Sequence, residues 1–70
     1  MVKLTDIRQG SVVIVRTNFG TGIPVKAIVD AVEADIKNGR PGIDYTFVGA
    51  ANWHDGSWAY LSQVDKVVTY

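Results

Sequence analysis

Apolar residues in this chain occur in short runs and alternations that turn-forming residues separate. Residues 11–17 form the clearest run, in which four consecutive side chains are β-branched. Branching at Cβ favours extended backbone, and four successive apolar positions indicate a strand that is central or covered on both faces. Residues 1–10 mix apolar and charged positions, and we expect them to lay one or two apolar side chains over the core. The β-branched run is Val12, Val13, Ile14 and Val15.

Three further segments have the pattern of strands. Residues 43–48 alternate between apolar and polar side chains, which is typical of a half-buried strand. Residues 57–61 predict a short strand with Trp58 and Tyr60 on one side, and residues 66–70 predict a final strand.

Residues 25–36 are compatible with either a helix or a strand. As a helix, the segment places apolar residues at i, i+3, i+4, i+7 and i+11, with Pro24 in the first turn and Gly39 beyond the end. As a strand, it alternates less regularly. Periodicity alone therefore favours the helix, whose apolar stripe would be Val25, Ile28, Val29, Val32 and Ile36.

Residues 35–45 hold two strong turn signals, Asn38-Gly39 and Pro41-Gly42. Asn and Gly accept positive φ at low cost, while Pro fixes φ near −65°. We expect the chain to reverse here and to pair the segment that ends at Ile36 with the one that starts at Ile43.

Two other segments are predicted to be loops. Residues 17–24 contain two glycines and a proline, with Phe19 and Ile23 as the apolar side chains able to anchor the loop. Residues 49–56 contain Trp53 and end in the turn dipeptide Asp55-Gly56.

The order of these elements resembles that of the SH3-like small barrels. In that fold a single 3₁₀ turn lies between the fourth and fifth strands, where Leu61-Ser62-Gln63-Val64 stands here. The resemblance implies that residues 25–36 form a long bent strand. The predicted fold is therefore all-β, a five-stranded SH3-like barrel forming a single domain over residues 1–70. The alternative is an α+β fold with a helix over residues 24–38 packed on an antiparallel sheet.

Two motifs resemble a narrower group of proteins. Residues 35–45 and residues 58–64 look like segments of short, uncharacterised proteins of bacteriophages and bacterial genomes. This resemblance implies a fold more than an activity, and it suggests a phage or prophage origin.

Composition limits the classes of function. Seventy residues make one domain, and without cysteine its core is held by packing alone, with neither disulfides nor a thiolate metal site. A formal net charge of zero removes the long-range attraction to phosphate on which sequence-independent nucleic-acid binders rely. Because no signal peptide or membrane-length apolar run is present, we expect a soluble cytoplasmic protein without a membrane partner.

No catalytic or metal-binding motif is evident. His54 beside Asp55 could act as a general base, but an exposed turn histidine explains the pair better. Neither Ser57 nor Ser62 has the glycines of a nucleophile elbow around it, and residues 17–22 lack the lysine of a phosphate-binding loop. We therefore predict a protein that is not an enzyme and that has no catalytic residue, metal or cofactor.

Arg40 lies between the two turn dipeptides, and Asp35 and Asp44 flank the same reversal. A guanidinium between two carboxylates would form a bidentate pair that fixes the hairpin. The alternative is direct contact between Arg40 and a ligand.

Aromatic residues are concentrated in the predicted loops and hairpins. A core this small should take two or three of them, Tyr45 or Phe47 together with Trp58 or Tyr60. Trp53 is the best candidate for an exposed ring, although it could instead fold back over the barrel end. The predicted binding residues are Phe19, Arg40, Tyr45, Trp53, Trp58 and Tyr60.

These residues give three hypotheses for a partner. The first is a binding module that recognises a protein through an aromatic groove lined by loops. The second is a nucleic-acid-binding barrel, with four cations gathered on one face beside stacking aromatics. The third is a structural component that assembles through residues 67–70, and the sequence leaves the oligomeric state open. The four cations of the second hypothesis are Arg16, Lys26, Lys37 and Arg40.

Overall fold

The protein is built on one antiparallel sheet of five strands. The computed structural model describes residues 2–17, 20–48 and 56–70. The strand order is β4-β3-β2-β1-β5, and a 3₁₀ turn, Leu61–Gln63, precedes the last strand. The predicted all-β class and the position of this turn are therefore confirmed. The strands are β1 (Val12–Arg16), β2 (Pro24–Lys37), β3 (Arg40–Phe47), β4 (Gly56–Tyr60) and β5 (Val64–Thr69).

The two outermost strands of this sheet are β4 and β5. In the described part of the chain no ladder of hydrogen bonds joins them to each other. Closure of the sheet into a barrel therefore stays a prediction.

The ambiguous segment is a strand, so the alternative α+β fold is wrong. Val29 pairs with Tyr45, whereas Ala31 pairs with its neighbour Asp44, so β2 has one extra residue between them. Such a bulge shifts the parity of the strand. Up to Val29 the side chains that face the core are therefore at odd-numbered positions, whereas beyond the bulge the inward side chain is that of Val32. The resulting spacing of apolar residues resembles that of a helix.

The reversal between β2 and β3 is a tight two-residue turn. Asn38 has φ 56° and Gly39 has φ 73°, the positive values that a type I′ hairpin requires at both central positions. Lys37 and Arg40 pair directly on either side. The Asn38-Gly39 turn is thus confirmed.

The second predicted turn, at Pro41-Gly42, is wrong, because both residues lie inside β3. Asn38 and Gly39 already complete the reversal. Proline is tolerated here because the ladder between β2 and β3 is interrupted between Glu33 and Lys37.

One face of the sheet carries the core. β1 lies between β2 and β5, as predicted for a central strand, and its inward residues Val13 and Val15 are fully buried. The lead-in places Val2 and Ile7 against the same core, also as predicted. Ile23 is 73% exposed, so its predicted anchoring role is wrong. The other buried apolar residues are Ala27, Val29, Ile43, Tyr45, Ala59 and Val64.

A buried amide positions the 3₁₀ turn against β1. Gln63 Nε2 donates to the carbonyl oxygen of Arg16 at 2.9 Å, and its Oε1 accepts the backbone N–H of Tyr60 at 2.9 Å. Both ends of this side chain are therefore satisfied, and the end of β4 is held in a fixed position.

None of the helical turns within the described ranges has the length and apolar character needed to cross a membrane.

Candidate functional site

Trp58 and Tyr60 lie on the sheet face opposite the core. Alternation along β4 buries Ala59 completely and directs its two neighbours to the other side. The two rings meet edge to face, with centroids 5.1 Å apart. Both are half-buried. The prediction that one of them fills the core is therefore wrong.

The tip of the β2–β3 hairpin lies against these rings. Arg40 Cζ is 4.1 Å from the Tyr60 ring centroid, and Lys37 Nζ is 5.1 Å from that of Trp58. Both distances are within the range of cation–π attraction. Asn38 Nδ2 also donates to Tyr60 Oη at 3.1 Å. We call this region the tip surface and define it as Lys37, Asn38, Arg40, Trp58, Tyr60 and Ser62.

A glycine forms the floor beside the tip surface. Gly42 pairs with Tyr60, and the Ile36 side chain lies over it. A Cβ atom at this position would collide with the Ala59 carbonyl oxygen and with Ile36. The close approach of Ile36 therefore requires glycine.

Acidic residues border the tip surface on the same face. A side-chain hydrogen bond with Asp44, followed by the charge of Asp44, raises the pKa of Glu33 above its ordinary value. Asp35 faces the turn, where its Oδ1 accepts the backbone N–H of Gly39 at 2.9 Å. These carboxylates thus interact with each other and with the backbone.

The predicted ion pair of Arg40 with Asp35 or Asp44 is wrong. Asp35 is occupied by the turn, and Asp44 contacts Glu33. The Arg40 guanidinium instead stacks on Tyr60, and its Nη2 makes a long contact of 3.4 Å with Ser62 Oγ. The turn is held by its own backbone geometry and by Asp35, and a guanidinium clamp is not needed.

Of the six predicted binding residues, Arg40, Trp58 and Tyr60 come together. Tyr45 is 4% exposed and lies in the core, where its ring meets Phe47 edge to face with centroids 5.2 Å apart. It is therefore separated from the tip surface by the sheet, and the expectation that Tyr45 or Phe47 is interior is confirmed for Tyr45. Phe19 and Trp53 lie outside the described residues, as do His54 and Asp55.

Three members of the tip surface are not among the six predicted binding residues, namely Lys37, Asn38 and Ser62. A signal for two of them was available in the sequence. Residues on either side of an Asn-Gly hairpin turn are direct partners and share one face, so Lys37 belongs with Arg40. Asn38 lies in the same turn. Nothing in the sequence pattern indicates that Ser62 reaches Arg40.

The four cations of the nucleic-acid hypothesis do not form one patch. Arg16 pairs with Asp65 at 2.9 Å. Lys26 lies near the other end of β2 from Lys37, eleven residues away along the strand. Lys37 and Arg40 are the two of that set that pair directly across strands.

No group of three or more metal-ligating side chains occurs within residues 2–17, 20–48 and 56–70. No protein-family model matches the chain. Neither a search of curated proteins nor a search of solved structures finds a match. Function is therefore inferred from the tip surface.

Proposed function

We propose that this protein is a non-catalytic binding module that recognises a segment of another protein through the tip surface. The observation that carries the proposal is the pair of rings, Trp58 and Tyr60, on the face opposite the core, each with a cation stacked on it. Trp, Tyr and Arg are the residues most enriched among those that dominate binding energy at protein interfaces. A rigid sheet that presents all three supports a recognition role.

The chemistry of the tip surface supports binding more than catalysis. A serine nucleophile needs a base within hydrogen-bonding reach. The Ser62 hydroxyl instead accepts a hydrogen bond from Arg40, and the remaining groups are rings, cations and an amide.

A phage or prophage origin, a cytoplasmic location and a closed barrel are parts of the same proposal. The resemblance of residues 35–45 and 58–64 to short phage proteins supports the origin, and the resemblance of the element order to SH3-like barrels supports the closed barrel. The lack of cysteine supports the cytoplasmic location.

Affinity capture with matched variants tests the proposed surface. The wild-type protein, Trp58→Ala and Ile28→Ala would be immobilised and exposed to a bacterial lysate, and retained proteins identified by mass spectrometry. Ile28 is the control because it is 40% exposed and lies on β2, away from the tip surface. We expect one set of proteins to be retained by wild type and Ile28→Ala and lost from Trp58→Ala. Equal recovery by all three, with circular dichroism showing each to be folded, would remove the tip surface from the proposal.

A nucleic-acid partner is the second candidate. Proteins bind single-stranded nucleic acids through aromatic rings on which the bases stack and through cations that contact the phosphates. The tip surface has both kinds of group. The bordering carboxylates Glu33, Asp35 and Asp44 oppose it, as does the zero net charge. A gel-shift with single-stranded oligonucleotides at low salt decides the question, and the protein proposal predicts no retardation.

Assembly through β5 is the third candidate. This strand is an edge of the sheet, and an edge strand can pair with another chain. Its ladder with β1 has two irregularities, which is one way in which edge strands are protected from such pairing. Sedimentation equilibrium of the free protein would show a monomer if the tip surface is the functional region.

A further inference from the structure

The tip surface has cations and carboxylates on one face that do not neutralise each other. Within the described part of the chain the one ion pair is Arg16 with Asp65, and neither residue belongs to the tip surface. Glu33 and Asp44 interact with each other. Lys37 and Arg40 lie on rings instead of on these carboxylates. Two positive charges on this surface are therefore left without an anionic partner in the described part of the chain.

The Arg40 guanidinium is pre-organised for an anion. Stacking on Tyr60 fixes its plane, and the 3.4 Å contact with Ser62 Oγ uses only Nη2. Its Nε and Nη1 have no partner among the described residues. A planar guanidinium with a free edge binds a carboxylate through two parallel hydrogen bonds, and a stacked one loses less freedom when it does so.

Lys37 supplies a second cation at the same place. It is the direct cross-strand partner of Arg40 on the tight turn. Like charges directly opposite each other on a sheet repel, and a bound anion would relieve that repulsion. The Trp58 and Tyr60 rings beside them offer apolar area to a neighbouring side chain of the ligand.

We propose that the tip surface binds an acidic segment of a partner protein. A carboxylate of the segment pairs with Arg40 and Lys37, and an adjacent apolar side chain packs against Trp58 and Tyr60. This inference rests on the proposed function and adds the chemical class of the ligand. A peptide fits better than a nucleic acid because it can bring a single carboxylate to the two cations, whereas phosphates repeat along the strand and would also approach Glu33, Asp35 and Asp44.

Nuclear magnetic resonance titration tests the ligand class. The probes are four molecules of equal length: acetylated, amidated Gly-Ser peptides that contain a single Glu-Phe, Gln-Phe or Lys-Phe pair, and a single-stranded oligothymidine. The signals followed are the indole N–H of Trp58 and the backbone N–H groups of the hairpin turn. We expect the Glu-Phe peptide to shift these signals at the lowest concentration, and its affinity to fall as salt is added.

Charge reversal provides the matched variants. Replacing both cations, Lys37→Glu together with Arg40→Glu, should lower the affinity for the Glu-Phe peptide by about tenfold or more, since the replacement turns attraction into repulsion. Lys26→Glu changes the net charge on the same strand at its opposite end, eleven residues from Lys37, and it should leave the affinity unchanged. The salt dependence of the wild-type protein provides the same evidence if the double variant does not fold.

The outcomes separate this inference from the proposed function. Equal or tighter binding of the Gln-Phe or Lys-Phe peptide at Trp58 would overturn the acidic ligand and leave a protein-binding tip surface in place. Preferential binding of oligothymidine would overturn both. Failure of every probe to shift the followed signals would overturn the acidic ligand, and the capture experiment with Trp58→Ala would then decide the proposed function independently.

Discussion

Two arginines in this protein stack on tyrosines, and their surroundings differ. Arg8 Cζ lies 4.3 Å from the Tyr70 ring centroid, and Arg8 Nε also donates to the Tyr70 carbonyl oxygen at 3.1 Å. That carbonyl also accepts a hydrogen bond from the fully buried Ser11. Arg40 stacks equally closely on Tyr60, but the one side-chain hydrogen bond it makes with a described residue is the long contact with Ser62 Oγ. The same pair of residue types is therefore built into the fold at one place and left available at the other.

Ser11 explains why the first pair belongs to the fold. Its hydroxyl donates to the Tyr70 carbonyl oxygen and accepts the backbone N–H of Arg8, both at 2.9 Å. Its own carbonyl oxygen accepts the N–H of Val29 at 2.8 Å. Through its side chain and its backbone carbonyl, one buried residue thus joins the lead-in, β2 and the residue that follows β5. Arg40 meets no such buried hydroxyl among the described residues, and its side chain contacts the half-buried Tyr60 ring and the exposed Ser62 Oγ.

The largest loss of stability is expected from Gly42→Ala, which tests whether the hairpin end needs a glycine at this position in order to fold. The new Cβ would collide with the Ala59 carbonyl oxygen and with Ile36, and overpacking of this kind costs up to roughly 3 kcal/mol. Thermal unfolding followed by circular dichroism should show the lowest melting temperature of all the variants. A melting temperature equal to that of wild type would contradict the close approach of Ile36.

Ser11→Ala and Ser62→Ala form the next and sharpest contrast. Removal of the Ser11 hydroxyl removes the acceptor of the Arg8 N–H and one of the two donors to the Tyr70 carbonyl oxygen. The free energy of unfolding should fall by about 2 kcal/mol. The melting temperature should fall by roughly 10 °C in a domain of this size. Ser62→Ala removes only an exposed long contact and should leave the melting temperature unchanged. Equal losses from the two variants would contradict the distinction between the regions.

Arg8→Ala should destabilise the fold more than Arg40→Ala, with a smaller difference between them than between the two serine variants. Arg8→Ala removes both a cation–π contact and a hydrogen bond to a carbonyl, together worth about 1–2 kcal/mol. Arg40→Ala removes a surface cation–π contact worth roughly 0.5–1 kcal/mol. Urea unfolding of both variants measures the difference. A larger loss for Arg40→Ala would assign that residue to the fold.

The smallest effect is expected from Glu33→Gln, which removes repulsion at the border of the tip surface. Asp44 raises the pKa of Glu33, so the folded protein holds the proton of Glu33 more tightly than the unfolded chain does. The resulting stabilisation is present below the pKa of an unfolded glutamate and is lost as pH rises through the raised pKa. Glu33→Gln should therefore raise the melting temperature slightly at neutral pH and have no advantage in acid. The reverse dependence on pH would contradict a repulsive Glu33–Asp44 contact.

The sequence predicts the strands well where inward and outward side chains alternate regularly along the whole strand. The β-branched run of β1, the alternation of β3 and β4 and the Asn38-Gly39 turn are all confirmed. The pattern of β2 is misleading because one bulged residue changes which side chains face the core. A bulge leaves no local signature in the sequence, so the apolar spacing is that of a helix although the backbone is extended.

The candidate site is predicted only in part, for a related reason. Arg40, Trp58 and Tyr60 are found together because turn position and strand alternation place them on one face. The partner of Arg40 is not predictable, because the choice between a nearby carboxylate and a ring depends on what already occupies the carboxylate. Here a backbone N–H in the turn occupies Asp35, and Glu33 occupies Asp44. Local charge pairing read from the sequence therefore gives the wrong partner.

The central claim, that Arg40 serves recognition while Arg8 serves the fold, is tested most directly by one calorimetric titration. The Glu-Phe peptide would be added to wild type, Arg8→Ala and Arg40→Ala under conditions in which all three are folded. We expect equal affinity for wild type and Arg8→Ala, and loss of about 2 kcal/mol or more of binding free energy for Arg40→Ala, as for truncation of a desolvated charge partner. Unchanged affinity in Arg40→Ala, or an equal loss in both variants, would contradict it.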